Sequence, residues 1–160
     1  MAKGKEPTYQ IDGANVRFRN FAGGKTKFNP EGNRNFCVDI PPEDVDQLLA
    51  DGWNVKFLDP REEGDDPTPY LQVKVKYDFK PPRVVLVKSN GQVNLTEDMV
   101  SILDFAELKN VDLIIRGWWY EMEATGKQGY SAYLKTMFAT IEEDELERRY
   151  STMDAPGIEE

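Results

Sequence analysis

The stretches VDLIIRGWWYEME, residues 111–123, and YSAYLKTMFATIE, residues 130–142, predict two long strands near the end of the chain. Six residues, ATGKQG at 124–129, join them. Strands of this length exceed the common range, and they suit a small barrel around which each strand bends strongly.

Towards the N-terminus, residues 70–77 give the clearest alternation in the chain. Leu71, Val73 and Val75 fall on one face of a strand, while Gln72, Lys74 and Lys76 fall on the other. Turn-forming residues separate this strand from shorter ones, which we predict at 15–21, 34–40, 53–58, 83–88 and 92–94. Short helices are predicted between residues 41 and 52 and between 96 and 110.

These elements predict a mainly β fold. About seven strands with one or two short inserted helices favour an OB-like antiparallel barrel over a parallel α/β sheet, which would need a helix after nearly every strand. An immunoglobulin-like sandwich is the alternative. We expect a flexible basic N-terminus at residues 1–8, the barrel at 9–146 and an acidic, disordered C-terminal tail at 147–160.

Charge is distributed unevenly along the chain. The formal net charge is −9, yet residues 1–40 carry +3, whereas residues 142–160 carry −6 and residues 59–66 carry −4. Such asymmetry indicates a protein that handles a polyanion and has an anionic arm.

Composition excludes several classes of site. The chain has no histidine, which excludes Ser/His/Asp and Cys/His triads and imidazole zinc sites, and its lone Cys37 cannot form an internal disulfide. No apolar run reaches the roughly 18 residues of a transmembrane helix, and residues 1–10 show no signal-peptide pattern. We therefore expect a cytoplasmic protein without cofactor or bound metal.

Cationic and aromatic side chains recur together on the predicted strands and in the glycine-rich loop at 22–32. Single-stranded nucleic acid needs this combination, because Lys and Arg follow phosphates while aromatic faces stack on unpaired bases. Any one of these residues has an ordinary structural alternative, a solvated face or the core. Trp118 and Tyr120 share the face of Arg116, and alternation leaves open whether they face a groove or pack under a helix, whereas Trp119 is predicted to be core. The candidate DNA-binding residues are Arg17, Arg19, Phe21, Lys25, Lys27, Phe28, Arg34, Lys74, Lys76, Arg116, Trp118, Tyr120, Tyr133 and Lys135.

Two other motifs are weaker. Five carboxylates crowd residues 59–66, as a two-metal nuclease would require, but they lie in a proline-rich segment that favours a solvated loop. The motif GGKT at 23–26 lacks the first glycine of a phosphate-binding loop, since Arg19 stands at that position.

The segments VRFRNFAGGKTKFNPEGNRNF at 16–36, PYLQVKVKY at 69–77 and the stretch 111–146 resemble the single-stranded DNA-binding proteins of tailed bacteriophages. The resemblance implies an OB-fold, sequence-tolerant binding of single strands in phage DNA replication and recombination, and no enzymatic activity. It also implies an acidic tail that engages replication or recombination proteins, here through Asp154, Ile158, Glu159 and Glu160. A homodimer is compatible with it. A carboxylate-dependent nuclease and a phage structural or adaptor protein are the alternatives.

Overall fold

The computed structural model describes residues 6–27, 29–60 and 62–141 of the chain. Within them the elements are, in order, β1 (Thr8–Ile11), β2 (Val16–Asn20), β3 (Arg34–Asp39), α1 (Pro42–Asp51), β4 (Lys56–Leu58), β5 (Thr68–Val75), β6 (Arg83–Lys88), β7 (Gly91–Asn94), a 3-10 helix (Val100–Asp104), β8 (Leu108–Met122) and β9 (Lys127–Ile141). No helix in this part of the chain has the length and apolar character needed to span a bilayer.

The strands form one open sheet in the order β1-β8-β9-β5-β3-β2, with β4 paired to β5 and the β6–β7 pair attached to β9. A mainly β, OB-like fold with short helices is therefore confirmed. The expectation of antiparallel pairing alone is wrong, because β9 runs parallel to both β5 and β6. The long β9 thus contacts three strands, and it pairs with β8 along almost its whole length.

Alternation along β5 and β9 builds the core. Leu71, Val73 and Val75 are buried while the intervening residues of β5 are exposed, as predicted. Tyr130, Ala132 and Leu134 of β9 point to the same interior. Burial of these side chains is the main free-energy term that favours the folded chain.

Helix α1 begins at Pro42, whose fixed φ suits the first helical position, and it ends at Gly52. Gly52 has φ 100°, a left-handed conformation that a glycine adopts without strain, and its N–H bonds the carbonyls of Leu48 and Leu49. Its own carbonyl accepts a hydrogen bond from Tyr130 N at 2.8 Å. The end of the helix is thereby fixed to β9.

Two local predictions differ from the structure. Strand β1 begins inside the segment predicted to be flexible: Thr8 pairs with Arg116 of β8, and Pro7 O accepts a hydrogen bond from Gly117 N at 2.8 Å. The predicted second helix is a single 3-10 segment, anchored by the buried Val100 and Leu103.

Candidate functional site

The outward face of the sheet carries one row of polar and aromatic side chains across four strands. Asn35 of β3 pairs with Lys74 of β5, Lys74 with Tyr133 of β9, and Tyr133 with Arg116 of β8. Paired residues on neighbouring strands share a face, so the row follows from the register. It places two cations beside one aromatic ring.

Tyr133 lies between those two cations. Lys74 Nζ is 5.6 Å from the centre of the Tyr133 ring, and Arg116 Cζ is also 5.6 Å from it. Both distances are within the range of cation–π attraction. Arg116 itself is buried, and its Nη2 donates a long hydrogen bond of 3.4 Å to Lys80 O.

A pair of exposed aromatic side chains continues the row. Phe79, in the loop after β5, meets Trp118 of β8 edge to face, with ring centres 5.7 Å apart and an interplanar angle of 80°. Lys80 Nζ lies 6.0 Å from the centre of the Trp118 ring. Trp118 is 43% exposed and Phe79 52% exposed, so each offers an open edge or face to a ligand.

Three cavities meet at Tyr133, and we call them together the groove. One, of about 300 Å³, includes Arg34, Asn35, Gln72, Lys74 and Lys76 in its lining. The second, of about 170 Å³, is lined by Lys76, Phe79, Arg116, Trp118 and Tyr133. The third, of about 660 Å³, is lined by Asn54, Lys56, Lys74, Trp118, Tyr120, Met122, Lys127, Gln128, Ser131 and Tyr133.

A carboxylate, that of Glu6, lies beside the groove. Glu6 accepts a hydrogen bond from Lys80 Nζ, and this bond holds the pKa of Glu6 below its usual range. The positive charges of Arg116 and Lys135 act in the same direction. Several cations therefore favour a negative charge at the position that Glu6 occupies.

Seven of the residues predicted from the sequence line the groove: Arg34, Lys74, Lys76, Arg116, Trp118, Tyr120 and Tyr133. The alternative left open for Trp118 and Tyr120 is thereby decided in favour of the groove. Trp119 packs against the core, with its ring centre 4.9 Å from that of Tyr130. Arg34 is partly engaged within the protein, since its Nη1 donates to Phe21 O at 2.7 Å.

The arginines of β2 lie elsewhere. Arg17 forms a two-point ion pair with Asp39, at 2.7 and 3.0 Å, and this bonding raises its pKa. Arg19 Nη1 donates to the carbonyls of Leu103 and Ala106, both at 2.8 Å. The predicted alternation fails here because β2 has a register irregularity between Arg17 and Asn20, where Phe18 takes φ 51° and is 62% exposed.

Phe21 is not a stacking residue, and that prediction is wrong. Its side chain is fully buried and stacks on Phe36 with ring centres 5.1 Å apart. Lys25, Lys27 and Lys135 are exposed but line none of the three cavities. Phe28 and the tail residues Asp154, Ile158, Glu159 and Glu160 lie outside the described residues.

Several groove residues were not predicted from the sequence. Phe79 lines the groove and Lys80 lies beside it. Both belong to the segment DFKPP at 78–82, where an aromatic–cation pair next to two prolines was the available signal. The groove also includes Lys56, Lys127 and Gln72. Only the register of the sheet shows which strands lie next to theirs. The local alternation of apolar and polar residues does not reveal the register between strands that are distant in sequence.

The groove holds cations, amides and aromatic rings, and none of the described residues in its three linings carries a carboxylate. Within residues 6–27, 29–60 and 62–141, no three acidic or cysteine side chains cluster in the way a metal site requires. The arrangement suits noncovalent binding of an extended anion with flat, apolar parts.

Comparison with known proteins agrees with this chemistry. A family model described as a putative phage ssDNA-binding domain matches residues 2–160. Among solved structures, the single-stranded DNA-binding protein from bacteriophage Enc34 superposes with a TM-score of 0.55 at 12% identity, covering 92% of this chain and 89% of that one. The same protein in complex with ssDNA gives 0.55 at 9% identity, covering 86% and 88%. At these identities the superpositions show a shared fold. The search of curated proteins gives no significant match.

Proposed function

This chain belongs to the family of phage ssDNA-binding domains, and from that premise we propose that it is a non-catalytic protein that binds single-stranded DNA along the groove. The observation that carries the proposal is the meeting of three cavities at Tyr133, which makes one path lined by cations and aromatic rings. Sequence-tolerant binding needs both components along one path.

The cations supply affinity for the backbone. Lys74 is exposed on the outward face of β5 and Lys76 is exposed directly after its end, and Lys56 and Lys127 line the same path. Each phosphate that such a side chain neutralises releases counterions, so binding falls with rising salt. A net charge of −9 does not prevent this, because binding depends on the local field of the groove.

The aromatic rings supply the preference for single strands. Tyr133, Trp118 and Phe79 stand on or beside the groove, and base–aromatic stacking contributes about 1 to 3 kcal/mol per base. Paired bases are stacked on each other and offer no free face. Duplex DNA should therefore bind more weakly than an unpaired strand of the same length.

The biological setting follows from the same premise. We place the protein in the host-cell cytoplasm, in phage DNA replication and recombination, where single strands are exposed. Residues 142–160 carry a net charge of −6, so this segment can compete with DNA for the groove and engage a replication or recombination protein when DNA displaces it. A homodimer is compatible with this role.

Binding to labelled oligo(dT), with a duplex control and with or without Mg²⁺, tests the proposal. Binding without cleavage, stronger for the single strand, is expected. Cleavage that requires Mg²⁺ would indicate a carboxylate-dependent nuclease instead, and neither binding nor cleavage would favour a structural or adaptor protein.

Truncation of the C-terminal tail distinguishes the effect of the tail on DNA affinity from that of the groove. Deleting residues 151–160 should raise affinity for oligo(dT) modestly at low salt, and deleting residues 143–160 should raise it more, because more negative charge is removed. Weaker binding by both truncated proteins at low salt would show that the tail is not an electrostatic competitor.

A further inference from the structure

Arg116 is an unusual residue for its position. It is only 6% exposed and is the one charged residue that is buried among those the structure describes. In the same part of the chain no carboxylate lies within ion-pair distance of it, and its hydrogen bond to Lys80 O is long, at 3.4 Å. A buried cation is normally paired with an anion or fully hydrogen-bonded.

The guanidinium therefore retains donors for a ligand. It carries five N–H groups in a planar fork and no acceptor. The face of the Tyr133 ring, 5.6 Å away, offsets part of the desolvation but accepts no directed hydrogen bond in the plane of the fork. Among the described residues no Arg116 nitrogen is both fully buried and unbonded, so the remaining donors open to the groove, where a ligand can bring an acceptor oxygen or nitrogen.

The cavity beside Arg116 indicates what carries that acceptor. Of the five described residues that line it, Phe79, Trp118 and Tyr133 are aromatic, so its walls suit a flat ring better than a hydrated phosphate. Its volume is about 170 Å³. A cavity of about 150 Å³ holds one benzene ring, so the space between these walls accommodates one six-membered ring, whereas the second ring of a purine would extend past them.

We propose that this cavity is a base subsite that takes one pyrimidine, with Arg116 donating a hydrogen bond to the O2 carbonyl of the base. Thymine and cytosine both present this acceptor. The inference rests on the proposed binding of single-stranded DNA and adds a preference at one nucleotide to an otherwise sequence-tolerant groove. The remaining bases meet open faces, so the overall preference is modest.

Competition among oligo(dT), oligo(dC) and oligo(dA) of equal length tests the subsite. The wild-type protein should prefer both pyrimidine strands, and Arg116→Met should reduce that preference about tenfold, the size expected for a hydrogen bond from a charged donor. Lys56→Met is the matched control, because it removes one positive charge from a cavity that Arg116 does not line. It should weaken all three strands by the same factor and leave the preference unchanged.

The comparison of ratios removes the effect of base stacking within oligo(dA), since that effect is the same for every variant. If Arg116→Met weakens all three strands equally, Arg116 contacts a phosphate and the subsite is refuted. Should Arg116→Met fail to fold in circular dichroism, Phe79→Ala replaces it; this variant opens one wall of the cavity at a 52% exposed position. An unchanged pyrimidine preference in Phe79→Ala then refutes the subsite. Wild-type protein that binds none of the strands would instead refute the proposed function itself.

Discussion

Trp118 and Trp119 are adjacent tryptophans on opposite faces of β8, and replacing each by alanine separates binding from folding. Trp118 lines the groove, whereas Trp119 packs on Tyr130 beneath the end of α1. We expect Trp118→Ala to weaken binding to oligo(dT) by about 1 to 3 kcal/mol, the contribution of one stacked base, which is roughly a 5- to 150-fold loss of affinity.

The effect of Trp118→Ala on stability should be smaller than a core substitution would cause. The side chain loses its edge-to-face contact with Phe79, about 0.5 to 1.5 kcal/mol, and its contact with Lys80, about 0.5 to 1 kcal/mol at an exposed site. Domains of this kind are stable by roughly 5 to 15 kcal/mol, so the variant stays folded.

Trp119→Ala should do the reverse. It removes a half-buried ring that touches the core, for which we expect a loss of roughly 3 kcal/mol, at the lower end of the range for Trp-to-Ala substitutions. Affinity per folded molecule should be unchanged, because the side chain lies on the face away from the groove.

Tryptophan fluorescence during titration with oligo(dT) measures the affinity and the quenching of each variant. Chemical denaturation measures the free energy of unfolding. Bound DNA should quench the wild type and Trp119→Ala but leave Trp118→Ala almost unquenched, since Trp53 is buried and Trp119 packs on Tyr130, on the face away from the groove. Normal affinity and normal quenching in Trp118→Ala would show that the groove is not the binding surface.

Three further substitutions test separate parts of the structure. Lys74→Met should weaken oligo(dT) binding and make the log–log salt dependence shallower by about 0.7, the value for one phosphate contact on a single strand; an unchanged slope in a salt series would exclude Lys74 from the interface. Glu6→Gln should raise affinity at low salt, because it removes the carboxylate that bonds Lys80; equal affinity across a salt series would show that DNA does not reach Lys80. Phe21→Ala should destabilise the fold by about 3 to 5 kcal/mol in denaturant unfolding, since it removes the ring stacked on Phe36, with affinity of the folded fraction unchanged; a stable variant with weak binding would restore Phe21 to the interface.

Local alternation predicted the parts of the site that lie on regular strands. The faces of β5 follow from period two, and so does the opposite placement of Trp118 and Trp119 on β8. Helix α1 was equally predictable, because Pro42 and Gly52 mark its ends through backbone geometry alone.

Prediction failed where the backbone departs from regularity. At Phe18 the positive φ and the shift of register turn an apolar side chain outward, and Arg19 is then used to bond carbonyls around the 3-10 helix. One irregular residue is enough to exchange the two faces of a strand. Nothing in the pattern VRFRN distinguishes this from a regular strand.

Prediction also failed where two segments distant in sequence meet. Phe79 and Lys80 reach Trp118 and Arg116 across more than 30 residues of sequence, and only the tertiary fold brings them together. Fold class follows from many weak local signals, whereas a binding surface depends on a few such meetings, so the fold was the more predictable of the two.

Strand β9 explains why cations and aromatic rings form a groove rather than two separate patches. It lies between β5, which carries Lys74, and β8, which carries Trp118, and its outward residue opposite Trp118 is the small Ser131. Ser131 lines the largest of the three cavities together with both of those side chains. A small residue in the central strand leaves a trough that longer side chains on the neighbouring strands border. Tyr133 lies two residues further along the same face, where this largest cavity joins the other two. The parallel pairing of β9 with β5 therefore decides where the cations meet the aromatic rings, and alternation does not reveal that pairing.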